Sequence, residues 1–374
     1  MYKHFQYYKM NRVLLTLSLF ACIVACSEKC TFTVKGTVEQ GINIGDTVYL
    51  QYIDKGMIHT LGQTIVKGGK FSFTGEKCEP VVCYIVSKVN GKVRSNAEFF
   101  VEPGEIDVNI GAIRNKLAGT PLNIRLQEYN DSIDILDTMF KGFYDKSKVK
   151  TLSVKAAEEA DKGMKVLSIV RKEYINRFME KNIDNPVCAY ILTKNHELIE
   201  PEEGIEIISR MPLENKCDTA VRHIEQTFRN KITTAEGKKF SDFEIYAKDG
   251  KRVKLSDFVG KGKVAVMNIW STTGRNAKND IAEFKALADT YKESVEFVGL
   301  AIEWDVKAWN AAIKENGMWW NHISDVQGWN SKAVFSYGVN SFPYNIVFAA
   351  DGTILHKGVK CSELYSILEE ATKK

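Results

Sequence analysis

Two apolar runs near the carboxy-terminal end constrain this chain most. They are Lys263-Val264-Ala265-Val266-Met267-Asn268-Ile269 and Val295-Glu296-Phe297-Val298-Gly299-Leu300-Ala301. Each has the length of a strand, and neither alternates cleanly between apolar and polar. Such runs belong to strands buried on both faces of a sheet. Asp280 to Tyr291 lies between them with helical apolar spacing, and Val306 to Asn316 repeats the pattern after the second run. Asn345-Ile346-Val347-Phe348 and Thr353-Ile354-Leu355-His356 flank Asp351-Gly352, a hairpin signal. Ser362 to Thr372 reads as a closing helix. Strand–helix alternation from about Phe240 predicts an α/β sheet with right-handed crossovers.

The earlier chain reads differently. From Thr31 to about Ile113 the apolar period is two, as in Phe32, Val34, Gly36 and Val38. Turn signals recur at Lys67-Gly68-Gly69-Lys70 and Glu102-Pro103-Gly104-Glu105. Short strands so spaced predict a small antiparallel sandwich. Beyond Gly119-Thr120-Pro121-Leu122-Asn123 the period lengthens. Leu122, Leu126, Tyr129, Ile133, Leu136, Phe140 and Phe143 share one helix face, and Ala160, Met164, Leu167, Val170, Tyr174 and Phe178 share another. Both stripes read as helix packing. The expected fold class is α+β multidomain: an amino-terminal antiparallel β-sandwich over 31–117, a helical linker region over 118–235 and an α/β domain over 236–374.

The amino terminus sets the expected compartment. A basic stretch precedes an apolar run from Val13 to Val24, followed by Ala25-Cys26. The run is shorter than the about 20 residues of a spanning helix and reads as an export signal over 1–25. Ile23-Val24-Ala25-Cys26 resembles the bacterial lipobox. In that motif the cysteine is acylated, which leaves residues 26–30 as a lipidated tether. An ordinary signal peptide with an incidental cysteine is the alternative, and Leu19-Phe20-Ala21-Cys22 is a weaker lipobox. Met10 is an alternative start to Met1. By analogy with other lipoproteins, Ser27 points to the outer membrane. The expected location is the cell envelope, lipid-anchored and facing the periplasm.

Composition narrows the function. The formal net charge is only +4 and no basic run stands out, so nucleic-acid binding has no support. Beyond Cys26, the cysteines are Cys30, Cys78, Cys83, Cys188, Cys217 and Cys361, with no C-x-x-C. No Cys/His cluster has zinc-ligand spacing, so no metal site and no cofactor is expected. Cys78 and Cys83 flank a turn and are able to pair, but buried free thiols are the favoured reading.

Residues 267–284 read MNIWSTTGRNAKNDIAEF. This segment resembles the thioredoxin active site, in which W-x-x-W-C-G-P-C and a basic residue follow an apolar strand. Without gaps, Trp270 matches the first tryptophan and Lys278 the basic residue. Gly274 then occupies the nucleophilic cysteine position and Ala277 the resolving one. Phe240-Ser241-Asp242-Phe243, Tyr337-Gly338-Val339-Asn340-Ser341-Phe342-Pro343 and Phe348-Ala349-Ala350-Asp351-Gly352 extend the resemblance to the TlpA/ResA-type thioredoxin-like family. The preceding regions resemble the unnamed sandwich domain and helical linker of Bacteroides-type lipoproteins.

The resemblance implies thiol–disulfide exchange, which proceeds by thiolate attack. Gly274 and Ala277 are therefore vestigial, and no catalytic residue is expected. Asn268 stands where many thioredoxins carry a buried acid. Thr272 and Thr273 are read as N-caps of the helix. An activated threonine would need a base beside it, and the nearest in sequence, Asp280, lies two turns into the helix.

The same resemblance makes Pro343 a cis-proline whose preceding residue pairs with an extended peptide. Trp270, Thr273, Arg275, Phe342 and Pro343 are the candidate peptide contacts. Of the tryptophans between Glu303 and Asn330, Trp319 and Trp320 cannot both point inward on a strand. His322 is read as a surface or hydrogen-bonded histidine. The expected function is a redox-inactive, lipid-anchored domain that binds an envelope peptide or protein. The alternatives are a disulfide oxidoreductase, which would need a remote thiol such as Cys361, and an interaction protein working through its sandwich.

Overall fold

The computed structural model describes residues 30–149 and 153–373. The leader over 1–25 and Cys26 lie outside the described residues. The chain divides into two compact units, with the boundary at residues 183–189.

The first unit opens with eight strands in two four-stranded sheets, ordered β4-β1-β7-β8 and β3-β2-β5-β6. Here β1 is Thr31–Val38, β2 Thr47–Asp54, β3 Met57–Ile65, β4 Lys70–Glu76, β5 Val81–Val89, β6 Lys92–Val101, β7 Gly104–Ile110 and β8 Lys116–Ala118. Alternation does the folding. Phe32 and Val34 of β1, Val48 and Leu50 of β2, and Ile106 and Val108 of β7 are buried, while their neighbours along each strand are less so. One pair departs from the antiparallel expectation: β1 and β7 run parallel, with Val34 opposite Ile106. These strands are far apart in sequence, so the chain crosses to the other sheet and returns between them.

The disulfide expectation needs correcting as well. Cys78 bonds Cys30, across a separation of 48 residues, and Cys83 is a buried free thiol. Cys78 stands just beyond β4, which pairs with β1, so the antiparallel register brings it to the strand's start: Thr31 opposes Glu76. Burial pushes the Cys83 thiol up to about 12.

Two long helices follow, α1 (Pro121–Ser147) and α2 (Val154–Lys181). The Gly-Thr-Pro-Leu-Asn motif fastens α1 to β6. A Cβ on Gly119 would stand 2.1 Å from the Glu105 carbonyl, and φ is +99° there, so only glycine fits. Buried Asn123 donates to the Phe100 carbonyl (2.8 Å) and accepts from the Phe100 N–H (3.0 Å). Glu102 accepts from the Leu122 N–H at the helix start.

The second unit carries helices α4 (Pro201–Arg210) and α6 (Thr219–Thr233), reached through α3 (Pro186–Asn195) and followed by the sheet; α5 is the single turn Leu213–Lys216. The seven-stranded sheet has the order β10-β9-β13-β12-β11-β14-β15. Its strands are β9 Glu244–Ala247, β10 Arg252–Lys254, β11 Val264–Trp270, β12 Val295–Ala301, β13 Asn321–Ser324, β14 Tyr344–Phe348 and β15 Ile354–Val359. Strands β11, β12 and β13 are parallel, while β14 runs antiparallel to β11. Every residue of β11 is buried, as an apolar run without alternation requires.

Helices α7 (Ala277–Thr290), α8 (Val306–Glu315), α9 (Lys332–Ser336) and α10 (Cys361–Thr372) complete the fold. One core, with Phe284, Phe297, Trp309, Trp320 and Leu364, lies on one sheet face; the other, with Met267, Leu300, Tyr337 and Phe348, lies on the opposite face. Trp319 and Trp320 precede β13 rather than lying on a strand; Trp320 is buried and Trp319 is 40% exposed.

Candidate functional site

The site forms where β11 and β12 end side by side. Trp270 is in register with Ala301, so the loop after β11 faces Ile302 and Glu303. Residues beyond the carboxyl ends of parallel strands are where open α/β sheets place their sites. The loop runs from Ser271 to Asn276, and α7 starts at Ala277.

Glu303 organises this loop. It is 3% exposed, and its carboxylate accepts from the Thr272 N–H, from the Thr272 hydroxyl at 3.1 Å and from the Ser271 hydroxyl at 3.3 Å. Ser271 also meets the Thr273 hydroxyl at 2.9 Å. A buried carboxylate must have such donors. The N-cap expectation for Thr272 and Thr273 therefore fails. The helix begins later, Asn276 is its cap residue without a side-chain cap bond, and the two hydroxyls close the loop instead. An acid beside Thr272 is thus supplied by the loop after β12.

Gly274 is half-buried and Ala277 buried at the loop's mouth. No sulfur replaces them. A Cβ on Gly274 would stand 2.8 Å from the Phe342 ring. The ring occupies the space a side chain at 274 would take. Phe342 in turn stacks on Trp329, with ring centroids 5.4 Å apart and planes within 22°. Trp304 packs over Gly328, whose own Cβ would lie 2.1 Å from the indole. Trp304 and Trp329 are 61% and 44% exposed. An aromatic ledge therefore borders the mouth.

The Phe342–Pro343 peptide bond is cis, as the resemblance implied. Among the described residues, no backbone hydrogen bond uses the N–H or carbonyl of Phe342. Pro343 is exposed, and β14 starts at the next residue. Thr273 and Arg275 are exposed beside the turn. Trp270 is 4% exposed and lines the floor of the cleft with Asn268, Ser271, Ala277, Asp280, Ile281, Phe342 and Pro343. The cleft holds about 10 Å³, room for one water molecule. Asn268 donates to the Asn345 side chain (2.8 Å), and Asn345 donates to the Val359 carbonyl (2.9 Å). A chain of neutral amides thus underlies the site where an acid would titrate.

His322 departs from its expectation. It is 2% exposed, and neither ring nitrogen has a hydrogen-bond partner among the described residues. Its ring lies against Trp270 and Trp320 and over Gly299, where a Cβ would be 2.6 Å from Nδ1. Burial pushes its pKa down to about 3, and the Lys248 ammonium acts in the same direction. The ring is neutral at physiological pH.

Cys361 opens α10 and packs on the core under α7. Burial pushes its thiol up to about 12, helped by Glu283 and Asp280. It is not among the cleft's lining residues. Of the other free cysteines, Cys83 and Cys188 are buried and Cys217 is exposed.

Residues 237–357 match the profile of the AhpC/TSA family. This part of the chain is similar to that family and has a thioredoxin-like fold. Residues 32–126 match a domain of unknown function, DUF4369. A thiol-disulfide oxidoreductase ResA of Bacillus thuringiensis is 29% identical over 140 residues, 37% of this chain and 77% of the relative. Among solved structures, a thiol-disulfide oxidoreductase from Bacteroides fragilis is 24% identical with a TM-score of 0.34, covering 36% of this chain and 98% of the other. The thioredoxin domain of a Bacteroides vulgatus thiol-disulfide oxidoreductase is 23% identical with a TM-score of 0.33, covering 37% and 98%.

Sequence reasoning missed Glu303, Ser271 and Asn345. Only for Glu303 was there a signal: an acid just after an apolar strand, at the carboxyl end where sites gather.

Proposed function

We propose that the thioredoxin-like domain binds an extended segment of an envelope protein or peptide along the cis-Pro343 turn, without thiol chemistry. The observation that carries this reading is the Phe342 ring over Gly274, beside a cis turn whose backbone groups are unused. Unpaired backbone at a strand end is a template for strand addition. Thr273 and Arg275 flank that path, Trp270 supports it from beneath, and Trp329 and Trp304 extend it with apolar surface.

The Cys30–Cys78 bond fits an oxidising compartment outside the cytoplasm. In this reading, acylated Cys26 tethers the chain to the outer membrane on the periplasmic side. Two or more acyl chains make such anchoring stable.

The family relatives favour a second reading, a thiol-disulfide oxidoreductase. It would have to work through a thiol elsewhere, and Cys361 is protonated at neutral pH.

The test uses a chain that cannot exchange disulfides: reduced, carboxymethylated α-lactalbumin. Native protein is expected to bind it, read by fluorescence of the exposed tryptophans. Phe342→Asp is expected to lose that binding. Equal binding by native protein and Phe342→Asp overturns the reading.

A further inference from the structure

The hairpin of α1 and α2 carries apolar side chains that are exposed among the described residues. In α1 the residues buried fully are Leu122, Asn123, Leu126, Tyr129 and Ile133, all in its first half. Ile135 and Met139 farther along are 60% and 49% exposed; Val166 and Val170 of α2 are 50% and 38% exposed.

These four side chains share one seam of the hairpin. Phe143 packs on Gly163, and Tyr129 on Phe178 at 5.2 Å, which sets the antiparallel register. In that register Met139 is level with Val166 and Val170. Asp137 and Arg171 close the opposite seam with a salt bridge. The sandwich holds α1 from another side, through Arg114 to Asp134 and Thr138 and Lys116 to Asp131. Met139 lies one residue, about 100° of helix, beyond Thr138, and Ile135 lies one residue beyond Asp134, about 40° round from Asp131 on the side toward Met139.

The charges on this face are arranged symmetrically. Glu128 and Lys146 lie equally far on either side of Asp137, and Glu159 and Arg177 equally far on either side of Ser168. Each pair spans 18 residues, about five full turns, so each shares one face with the apolar residues between. Lys162 and Glu173 repeat the pattern inside the α2 pair. The two centres, Asp137 and Ser168, are within about one turn of each other along the hairpin. Glu159, Lys162, Glu173 and Arg177 are exposed and have no ion-pair partner among the described residues. Glu128 reaches only Arg125, at 3.5 Å.

We propose that this face docks on the same face of a second copy of the chain. A two-fold axis through the centre, perpendicular to the helices, makes α1 antiparallel to its mate and α2 to its mate. Apolar residues then meet apolar residues. Glu128 meets Lys146 of the partner subunit, Glu159 meets Arg177 of the partner subunit and Lys162 meets Glu173 of the partner subunit. Isologous contacts have this self-complementary form. The product is a four-helix bundle.

Sedimentation velocity of the full chain in density-matched detergent tests the proposal. The native chain is expected to reach twice the single-copy mass, with reversible dependence on concentration. Met139→Glu with Val170→Glu is expected to sediment as a single copy. Arg177→Glu is expected to weaken the dimer at least about tenfold, through like charges facing each other. Adding Glu159→Arg to it restores the pairing with signs exchanged. These substitutions are on exposed positions, and circular dichroism checks that helix content is kept. A native chain that stays single at every concentration overturns the proposal, including one that binds anionic vesicles instead. A dimer indifferent to Met139→Glu with Val170→Glu overturns it too, as does a Glu159→Arg/Arg177→Glu double variant no tighter than Arg177→Glu alone.

Discussion

The ring of Phe342 lies 2.8 Å from the point where a Cβ on Gly274 would stand. This single contact links the cis turn to the position where the family's nucleophile belongs. A side chain at 274 would have to displace the ring, which borders the mouth. The chain packs an aromatic side chain there, backed by Trp329.

Restoring the cysteines therefore needs a third change. Gly274→Cys with Ala277→Cys must push the Phe342 ring off Trp329. We expect that variant to lose the stacking signature of Trp329 in near-ultraviolet circular dichroism and to oxidise slowly. Adding Phe342→Ala should free the space and give a reducible disulfide, read by thiol titration. Fast oxidation of the double variant with the stack intact would show that the ring does not obstruct position 274.

Glu303 should hold the loop more than any residue on the loop itself. Glu303→Gln substitutes an amide for one acceptor oxygen, so a donor faces donors. Leaving a buried donor unpaired costs about 1–3 kcal/mol. Hydrogen exchange at the Thr272 amide should accelerate accordingly, about tenfold or more. Unchanged protection would mean that the loop is held by its neighbours alone.

His322 should set the acid limb of stability. Its folded pKa, about 3, is below the unfolded value of about 6.5. Between those values the unfolded chain binds the extra proton, so stability is full above about pH 6.5 and declines as pH falls toward 3. His322→Phe should flatten that decline in urea melts between pH 4 and 7, which span the upper part of the window. An unaltered slope would place the acid sensitivity elsewhere.

Lys357 should act at the other end. Burial, with Lys231 nearby, pushes its pKa down to about 8, while it donates to Thr234 (2.9 Å) and the Tyr337 carbonyl (3.0 Å). The unfolded lysine holds its proton to about pH 10.4, so stability should rise between about pH 8 and 10. Lys357→Met should remove that rise. A rise of the same size in Lys357→Met would assign it to another group.

The fold was legible because its signals are local. Apolar runs at 264–269 and 295–301 are buried strands as their composition demanded, and the stripes from Leu122 and from Ala160 are helices. The cis turn was legible through Pro343. What escaped was tertiary. Cys30 and Cys78 meet because β1 pairs with β4, which no spacing rule shows. Thr272 sits near a helix start, and only the fold brings Glu303 to it across 31 residues. The burial of His322 depends on Gly299, on the neighbouring strand, leaving room beneath the ring.

The central claim is that this thioredoxin-like domain has docking left to it and no electron transfer. Turnover of a model disulfide by the native full chain, beside Cys361→Ser, tests it most directly. The account predicts that neither protein reduces the substrate faster than buffer with the same reductant. Turnover by the native chain that disappears in Cys361→Ser would contradict it.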